Sequence, residues 1–549
     1  MAKTELLRAL QRALTLSRRA SSRGLPPEAL LEEPPAAPLT RRDFLRYAGA
    51  AAAGVWTAGL RGVAVAAAAP APGPAEAPVV ILGAGLAGLT AAYRLQSAGQ
   101  PWRLYEASAR YGGRVYTRRD FNADGMFCEL GGELVDSDHD ALRGLAAELG
   151  LALEPLGATK QGVSRNLYIF GGVARTDADL LRAIGPFVER VRADLRSIFG
   201  ASSRRELVYS DRLPFGRFDR LTLREYLDSM TGVDAWVRSA VELAYVTEMG
   251  LEAEKQSALN MLLLIADRAG PGDFELFGDS DEAYRVVGGS GRLADALAAR
   301  LGLADGGTAR YKPSHRLVGV SDRGDKLSLA FETPGGTVEA RASRVLCTIP
   351  FSVLRDVDGV QSLDLSARKK ACIREMGYGR NAKLMLGFTD RYWRAGTAAS
   401  PPSNGAVFTD LPSQSFWETS RLQPGARGIL TNYTGGETGA GRAMSDLGRT
   451  LADVERLFPG GRARYDGSSA LMNWTRYAHN RGSYICPAPG DYGHHYGAAR
   501  ETECGGRLLF AGEHTSLVGA GYMNGAVESA ETAARALLAP ARAPAAAVR

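Results

Sequence analysis

Cysteine is scarce in this 549-residue chain, and its placement gives it no evident work. Cys128, Cys347, Cys372, Cys486 and Cys504 are odd in number, far apart and free of any CxxC pair. That spacing argues against a disulfide framework or a zinc site and leaves buried thiols as the expectation. The six histidines form no ligand set; the pair His494-His495 sits in a Tyr/Gly-rich loop that reads as surface, so no metal is expected. An excess of one charge is also missing from the body of the chain. Of the net +6, ten Lys and Arg against five acids place +5 before Pro70 and leave +1 for the remainder. Such a balance offers no basic stripe for nucleic acid. Long apolar runs are absent too. Tyr47 to Leu60 falls short of the ~20 residues a membrane span requires, and Arg61 interrupts it, so no stable membrane anchor is expected.

What is there begins with ordinary proportions, 23% charged and 45% hydrophobic, in a chain long enough for two or more packed domains. Residues 1–69 stand apart as a leader. Thr40-Arg41-Arg42-Asp43-Phe44-Leu45-Arg46 precedes a mild Ala-rich run, and Ala64-Val65-Ala66 offers an A-x-A cleavage site. Paired arginines before such a run resemble a twin-arginine export signal, which implies a bacterial chain delivered already folded to the periplasm or beyond. Residues 70–77 read as a linker.

The chain is organised around Pro78 to Arg114. Val79-Val80-Ile81-Leu82 is an unbroken apolar run suited to a strand buried on both faces. Gly83, Gly85 and Gly88 follow as GxGxxG, with Leu86, Ala87, Leu89, Tyr93 and Leu95 opening a helix that Gly99 stops. Trp102 to Tyr105 reads as the second strand, ended by Glu106. The pattern is that of a dinucleotide cradle. Gly83 permits the tight turn, Gly85 lets backbone approach a pyrophosphate, and Gly88 lets helix and strand pack closely. The helix N-terminus faces the phosphates, and an acid about 20 residues on accepts hydrogen bonds from a ribose. Further along, residues 141–260 read as mostly helical. RLVGVSDRGDKLSLAFET then alternates like paired strands, and ASRVLCTIP reads as a short buried strand. No internal repeat appears.

From Glu106 through Arg110-Tyr111-Gly112-Gly113-Arg114 the chain resembles the flavin amine oxidase family, which includes monoamine, polyamine and L-amino-acid oxidases. ELGGELVDSDHDALRGLAAELGL, YRVVGGSGRLADALA, RVLCTIPFSVLR and FAGEHTSLVGAGYMNGAVESAETAA match in order, so the resemblance covers nearly everything after Pro78. It implies FAD. Ala107 follows the ribose acid, Arg114 would contact the phosphate region, and Gly131, Gly132 and Glu133 would lie along the flavin. Leu317 matches the position whose backbone meets adenine, and Trp474 a tryptophan packed beside the flavin. Gly512 and Glu513 follow a strand at Arg507 to Ala511, where the family holds the ribityl and phosphate arm. A helix beginning near Asn524, with Met523 and Ala526 at its start, would stabilise negative charge on the reduced ring.

Three residues bear on catalysis by the same resemblance. A lone lysine in an apolar strand is ordinarily an edge charge, but Lys383 matches the family lysine that holds a water against flavin N5 and assists reaction with O2. Tyr484 and Tyr522 match the two facing aromatics between which an amine passes. Two departures stand out. Ser483 replaces the cysteine that links covalently to flavin in some members, so non-covalent FAD is expected. Gly131-Gly132 is followed by Glu133-Leu134-Val135, without the arginine that grips a carboxylate in familiar L-amino-acid oxidases.

The expected fold is α/β, a Rossmann-type FAD-binding domain with an inserted α+β substrate-binding domain. Residues 78–145, 281–345 and 476–540 would form the FAD-binding segments. Residues 146–280 would be a helical insertion, 346–475 the substrate domain and 541–549 a tail. The expected activity is oxidation of a primary amine, or an L-amino acid, to an imine and then a carbonyl plus ammonia, with O2 reduced to H2O2. Alternatives are an L-amino-acid oxidase proper, a related FAD-dependent desaturase or dehydrogenase, and a flavin-bearing accessory protein without turnover. The amine itself is left unassigned, to be read by the helical insertion and the Ser413 to Gly436 region. Oligomeric state is open, a homodimer being one candidate.

Overall fold

The computed structural model describes residues 77–156, 166–200, 206–264, 283–303, 309–396 and 401–539. The leader, most of the linker and the tail lie outside them. At the centre is a five-stranded parallel sheet in which β1 (Val79–Leu82) pairs with β2 (Trp102–Tyr105) on one side and β4 (Val345–Cys347) on the other. The remaining strands, β3 (Tyr311–Lys312) and β5 (Leu508–Phe510), close its edges in the order β3-β2-β1-β4-β5. All four residues of β1 are buried, as an apolar run covered on both faces must be. One face packs against α1 (Leu86–Ser97), α2 (Asp140–Glu148), α3 (Gly291–Leu301) and α4 (Met523–Leu538). The other face carries a three-stranded antiparallel sheet, Arg316–Asp322, Leu327–Thr333 and Gly336–Ala342, and the helices between Phe351 and Glu375.

Two of the expected segment boundaries move. The one at 345 falls inside β4, because Val345, Leu346 and Cys347 all bond β5, so the second FAD-binding segment extends past Cys347. The one at 145 falls inside α2, whose Leu142 and Leu145 belong to the same core as β1.

A second layer is a seven-stranded mixed sheet. Its order runs Tyr465–Asn473, Ala382–Phe388, Gly428–Thr434, Ser415–Glu418, Val407–Thr409, Leu167–Phe170, Val173–Thr176. The last two strands come from the insertion read as helical. Leu167–Phe170 pairs parallel with Val407–Thr409, so this hairpin is claimed by long-range pairing rather than by the local pattern. Apart from Leu153–Pro155, which pairs with Tyr284–Val286, the other regular elements among the insertion's described residues are helices, with Ala235–Met249 as a long buried helix in its core. Alternation sorts the sheet's two faces. Leu384, Leu386, Leu430 and Phe416 pack beneath the Leu447–Leu457 helix. Lys383, opposite Tyr433, and Thr431, opposite Trp417, lie on the other face.

The five cysteines are free and buried. His494 is exposed, but His495 is buried, so the pair is not a surface feature as a whole. Its ring sits against Asp491 at 3.4 Å, and burial pushes its pKa down to about 4.

Candidate active site

A cavity of about 340 Å³ opens at the C-terminal end of β1 and β2, where parallel α/β sheets take their ligands. Its walls come from the three separated FAD segments. Gly83 has φ +101°, a left-handed conformation. A Cβ on Gly88 would lie 1.9 Å from the carbonyl oxygen of Gly83, so α1 can pack here only with glycine. A Cβ on Gly85 would have no neighbour nearer than Gly113 Cα at 3.8 Å; that space is left to the cavity. Gly85, Leu86 and Ala87 line it, and α1 has neither a side-chain cap nor an acid in its first turn. Its positive end is therefore available to an anion.

Glu106 and Ala107 continue the wall. The Glu106 carboxylate accepts hydrogen bonds from Ala84 N at 2.7 Å and Ser108 N at 2.8 Å, which ties the two βα turns together and leaves each oxygen with further acceptor capacity. At one end of the cavity Leu317 is joined by Tyr105, Phe331 and His315. Tyr105 and Phe331 stack at 4.2 Å, an aromatic floor suited to a purine and not anticipated from the sequence. Along the middle, Arg114 Nη1 donates to Glu513 Oε1 at 2.7 Å and to Ser483 O at 2.5 Å. The other oxygen of Glu513 accepts from Gly521 N at 2.9 Å. Gly512, Tyr522, Met523 and Ala526 complete that end, where α4 begins without a side-chain cap or a first-turn acid. A dinucleotide with a pyrophosphate fits these walls.

Lys383 is not an edge charge. Its strand is paired on both sides, and its side chain is 4% exposed. Nζ donates to Gly131 O at 3.0 Å and to Glu133 Oε2 at 2.9 Å. The side chain of Lys383 thus meets the Gly131–Gly132–Glu133 segment directly. Gly131 has no room for a side chain, since a Cβ would sit 1.9 Å from Arg114 O and 3.3 Å from the Trp474 ring. Trp474 is buried and donates to Leu130 O at 3.1 Å, a packing role.

Tyr484 and Tyr522 are both buried, and their hydroxyls reach consecutive residues of one helix. Tyr522 donates to the Glu248 carboxylate at 3.1 Å, Tyr484 to Thr247 O at 3.3 Å. Tyr522 lines the cavity, whereas Tyr484 lies behind Gly521, where a Cβ would be 3.7 Å from its ring. The Tyr484 hydroxyl also meets the Tyr433 hydroxyl at 2.9 Å, and the Tyr433 ring meets the edge of Trp417 at 5.3 Å. Burial first, then Tyr433 and Glu248, pushes the Tyr484 phenol well above its ordinary pKa, so it stays neutral. Tyr433, Trp417 and Thr419 come from the Ser413 to Gly436 region, and only strand pairing brings them here. His139 also joins, its ring 5.3 Å from that of Tyr522. Its ligand atoms lie within 4.8 Å of those of Asp136 and Asp138, a grouping the histidine count did not suggest.

A parallel sheet with a glycine-lined anion cradle and an aromatic floor is the architecture of a dinucleotide-binding protein; Lys383 and the Gly131–Glu133 segment it meets lie outside the lining of this cavity. The chain matches the family of flavin containing amine oxidoreductases over residues 86–538, and it belongs to that family. An L-amino-acid oxidase of Siganus canaliculatus is 27% identical over 478 residues, 83% of this chain and 84% of that protein. The flavin-dependent L-tryptophan oxidase of Lentzea aerocolonigenes is 26% identical over 84% of this chain and 97% of its own. In three dimensions the cyclohexylamine oxidase of Brevibacterium oxydans superposes with a TM-score of 0.68 at 19% identity, covering 84% of this chain and 98% of that one. The protein is an FAD-dependent amine oxidase.

Proposed function

We propose that this oxidase acts on a primary amine without a carboxylate, with Lys383, Tyr484 and Tyr522 as its catalytic residues and FAD held non-covalently. The observation that carries the reading is the convergence of Lys383 on Gly131 and Glu133 while the Tyr484 and Tyr522 hydroxyls anchor on Thr247 and Glu248. Bound FAD supplies a two-electron acceptor that O2 restores. The protein's own groups do the rest. Tyr522 offers its ring to the amine nitrogen along the cavity wall, Tyr484 backs that wall from behind Gly521, and burial of the surrounding groups keeps water from the reacting carbon. The amine gives up two electrons and two protons from its C–H and N–H bonds, forming C=N; water then adds and the C–N bond breaks to carbonyl and ammonia. Two electrons and two protons reach O2 as H2O2, with Lys383 presenting positive charge to the reduced oxygen. Ser483 stands where a covalent cysteine link would be made, and its hydroxyl is instead engaged with Asn381 Oδ1 at 2.5 Å, which supports non-covalent binding.

The Glu248 carboxylate that meets the Tyr522 hydroxyl disfavours a substrate bearing a carboxylate of its own, whereas Glu133 is already paired with Lys383. The second reading, an L-amino acid, is favoured by the relatives that act on amino acids. Release of H2O2 by purified protein against monoamines, diamines and L-amino acids separates them. Turnover of amines is expected, and turnover of L-amino acids alone overturns the substrate assignment. We further assign the chain to the twin-arginine export route on Thr40 to Arg46, which loss of periplasmic activity in an Arg41→Lys/Arg42→Lys variant would test.

A further inference from the structure

We propose that Glu133 is a positioning residue that fixes the Lys383 ammonium for the reaction with dioxygen. The inference rests on the reading of Lys383 given above, and goes beyond it. Lys383 and Glu133 form an ion pair at 2.9 Å with side chains only 4% and 5% exposed. The pair is braced on both sides. The second Glu133 oxygen accepts from Trp417 Nε1 at 3.4 Å and Thr419 Oγ1 at 3.3 Å, and Thr419 in turn meets Thr431 at 2.6 Å. The ammonium has three donors; Gly131 O and Glu133 Oε2 take two, which leaves one N–H for a water or a reduced oxygen species. The Trp417 ring, 5.3 Å from Nζ, supports the same charge from its face. The carboxylate therefore holds the position of Nζ to within one hydrogen bond of the segment that runs along the cofactor.

A buried pair of this kind has a second consequence. Removing the lysine alone strands a carboxylate in a dry site, whereas removing both charges does not. The double variant is thus expected to be sounder than the lysine variant, which a mere surface contact would not produce.

The experiment uses flavin-loaded protein that is photoreduced without substrate and mixed with O2-saturated buffer, so it is independent of which amine is oxidised. Glu133→Gln should slow reoxidation by ~10-fold or more, and Glu133→Asp, which keeps the charge, should recover to within ~3-fold of the wild type. Lys383→Met should slow it at least as much, and adding Glu133→Gln to Lys383→Met should cost nothing further. In thermal melts, Lys383→Met should unfold below Lys383→Met/Glu133→Gln. Reoxidation of Glu133→Gln within ~2-fold of the wild type, beside a slow Lys383→Met, overturns the role of Glu133 and leaves that of Lys383 standing. Multiplying losses in the double variant, or equal melting of single and double, overturns it as well. Rapid reoxidation of Lys383→Met itself removes both roles.

Discussion

The cofactor cradle and the proposed catalytic face are built on opposite plans. The cradle is made by backbone. Gly83, Gly85 and Gly88 shape it by lacking side chains, and one continuous stretch from Val79 to Arg114 supplies most of the turn geometry. The catalytic face is made by side chains from strands far apart in sequence. Lys383, Tyr433, Trp417 and Glu133 meet only because four segments separated by tens to hundreds of residues are held in register. Backbone is therefore the vulnerable element in the first region and charge complementarity in the second. Substitutions should fail in different ways, and that difference is measurable.

The largest effect is expected inside the cradle. Gly88→Ala forces a methyl to within 1.9 Å of Gly83 O, where neither helix nor turn can yield, and should destabilise the protein by roughly 3 kcal/mol or more. Gly85→Ala has space for its methyl and should leave the apoprotein's melting temperature nearly unchanged while lowering the flavin retained per chain. Absorbance near the flavin band and a thermal melt distinguish the two. Equal melting temperatures would show that cradle and helix packing are not separate functions of the glycines.

Arg114 joins the two plans, as a charged side chain within the cradle. Arg114→Ala leaves the Glu513 carboxylate, 5% exposed, without its cation and should cost about 3 kcal/mol besides weakening flavin retention. Arg114→Ala/Glu513→Gln should regain part of the stability but not the flavin. A double variant that regains both would reduce Arg114 to a structural tie.

Glu129 tests how far burial of charge extends behind the catalytic face. Its carboxyl accepts from Ser290 N at 2.7 Å and Thr117 Oγ1 at 2.8 Å, and burial raises its pKa from 4.5 to about 7. An acid whose folded pKa lies above its unfolded one gives the folded state more bound protons between the two values. Its contribution is complete below about pH 4.5 and falls away as pH rises to about 7, by at most about 3 kcal/mol. Glu129→Gln should flatten that decline in denaturant titrations from pH 5 to 8. Asp491, raised by burial to about 6, contributes to the same window in both proteins and cancels in the difference.

What could be read from the sequence follows the same division. Val79 to Glu106 is legible because its constraints are local: a turn that needs glycine, a helix that must start beside it, an acid at fixed spacing; Arg114 and Glu513 enter only through the resemblance to the family. Lys383 was legible only through its resemblance to the family lysine, since a lone lysine in an apolar strand says nothing about which neighbour covers it. Tyr433, Trp417 and the acid at Glu248 were not legible. Tyr433 is defined by standing opposite Lys383 and Ser415, and register between strands so distant in sequence leaves no periodic signal. The Leu167–Phe170 hairpin was lost for the same reason, with helical neighbours on one side of it in the chain and its sheet partner more than two hundred residues away.

The smallest effect is expected at Tyr484, and it probes the catalytic face where that face is most side-chain-dependent. Tyr484→Phe keeps the ring and removes a hydroxyl that meets Tyr433 at 2.9 Å and Thr247 O at 3.3 Å, for a loss of about 1 kcal/mol of stability. If the ring face is what orients the amine, kcat/KM should fall by less than ~3-fold, while Tyr484→Ala should lower it far more. The phenol is neutral because burial raises its pKa, so the alkaline limb of the pH–rate profile should not move in Tyr484→Phe. A displaced limb would mean that the hydroxyl titrates during turnover, and the catalytic face would then depend on proton exchange through Tyr433 rather than on the shape of an aromatic wall.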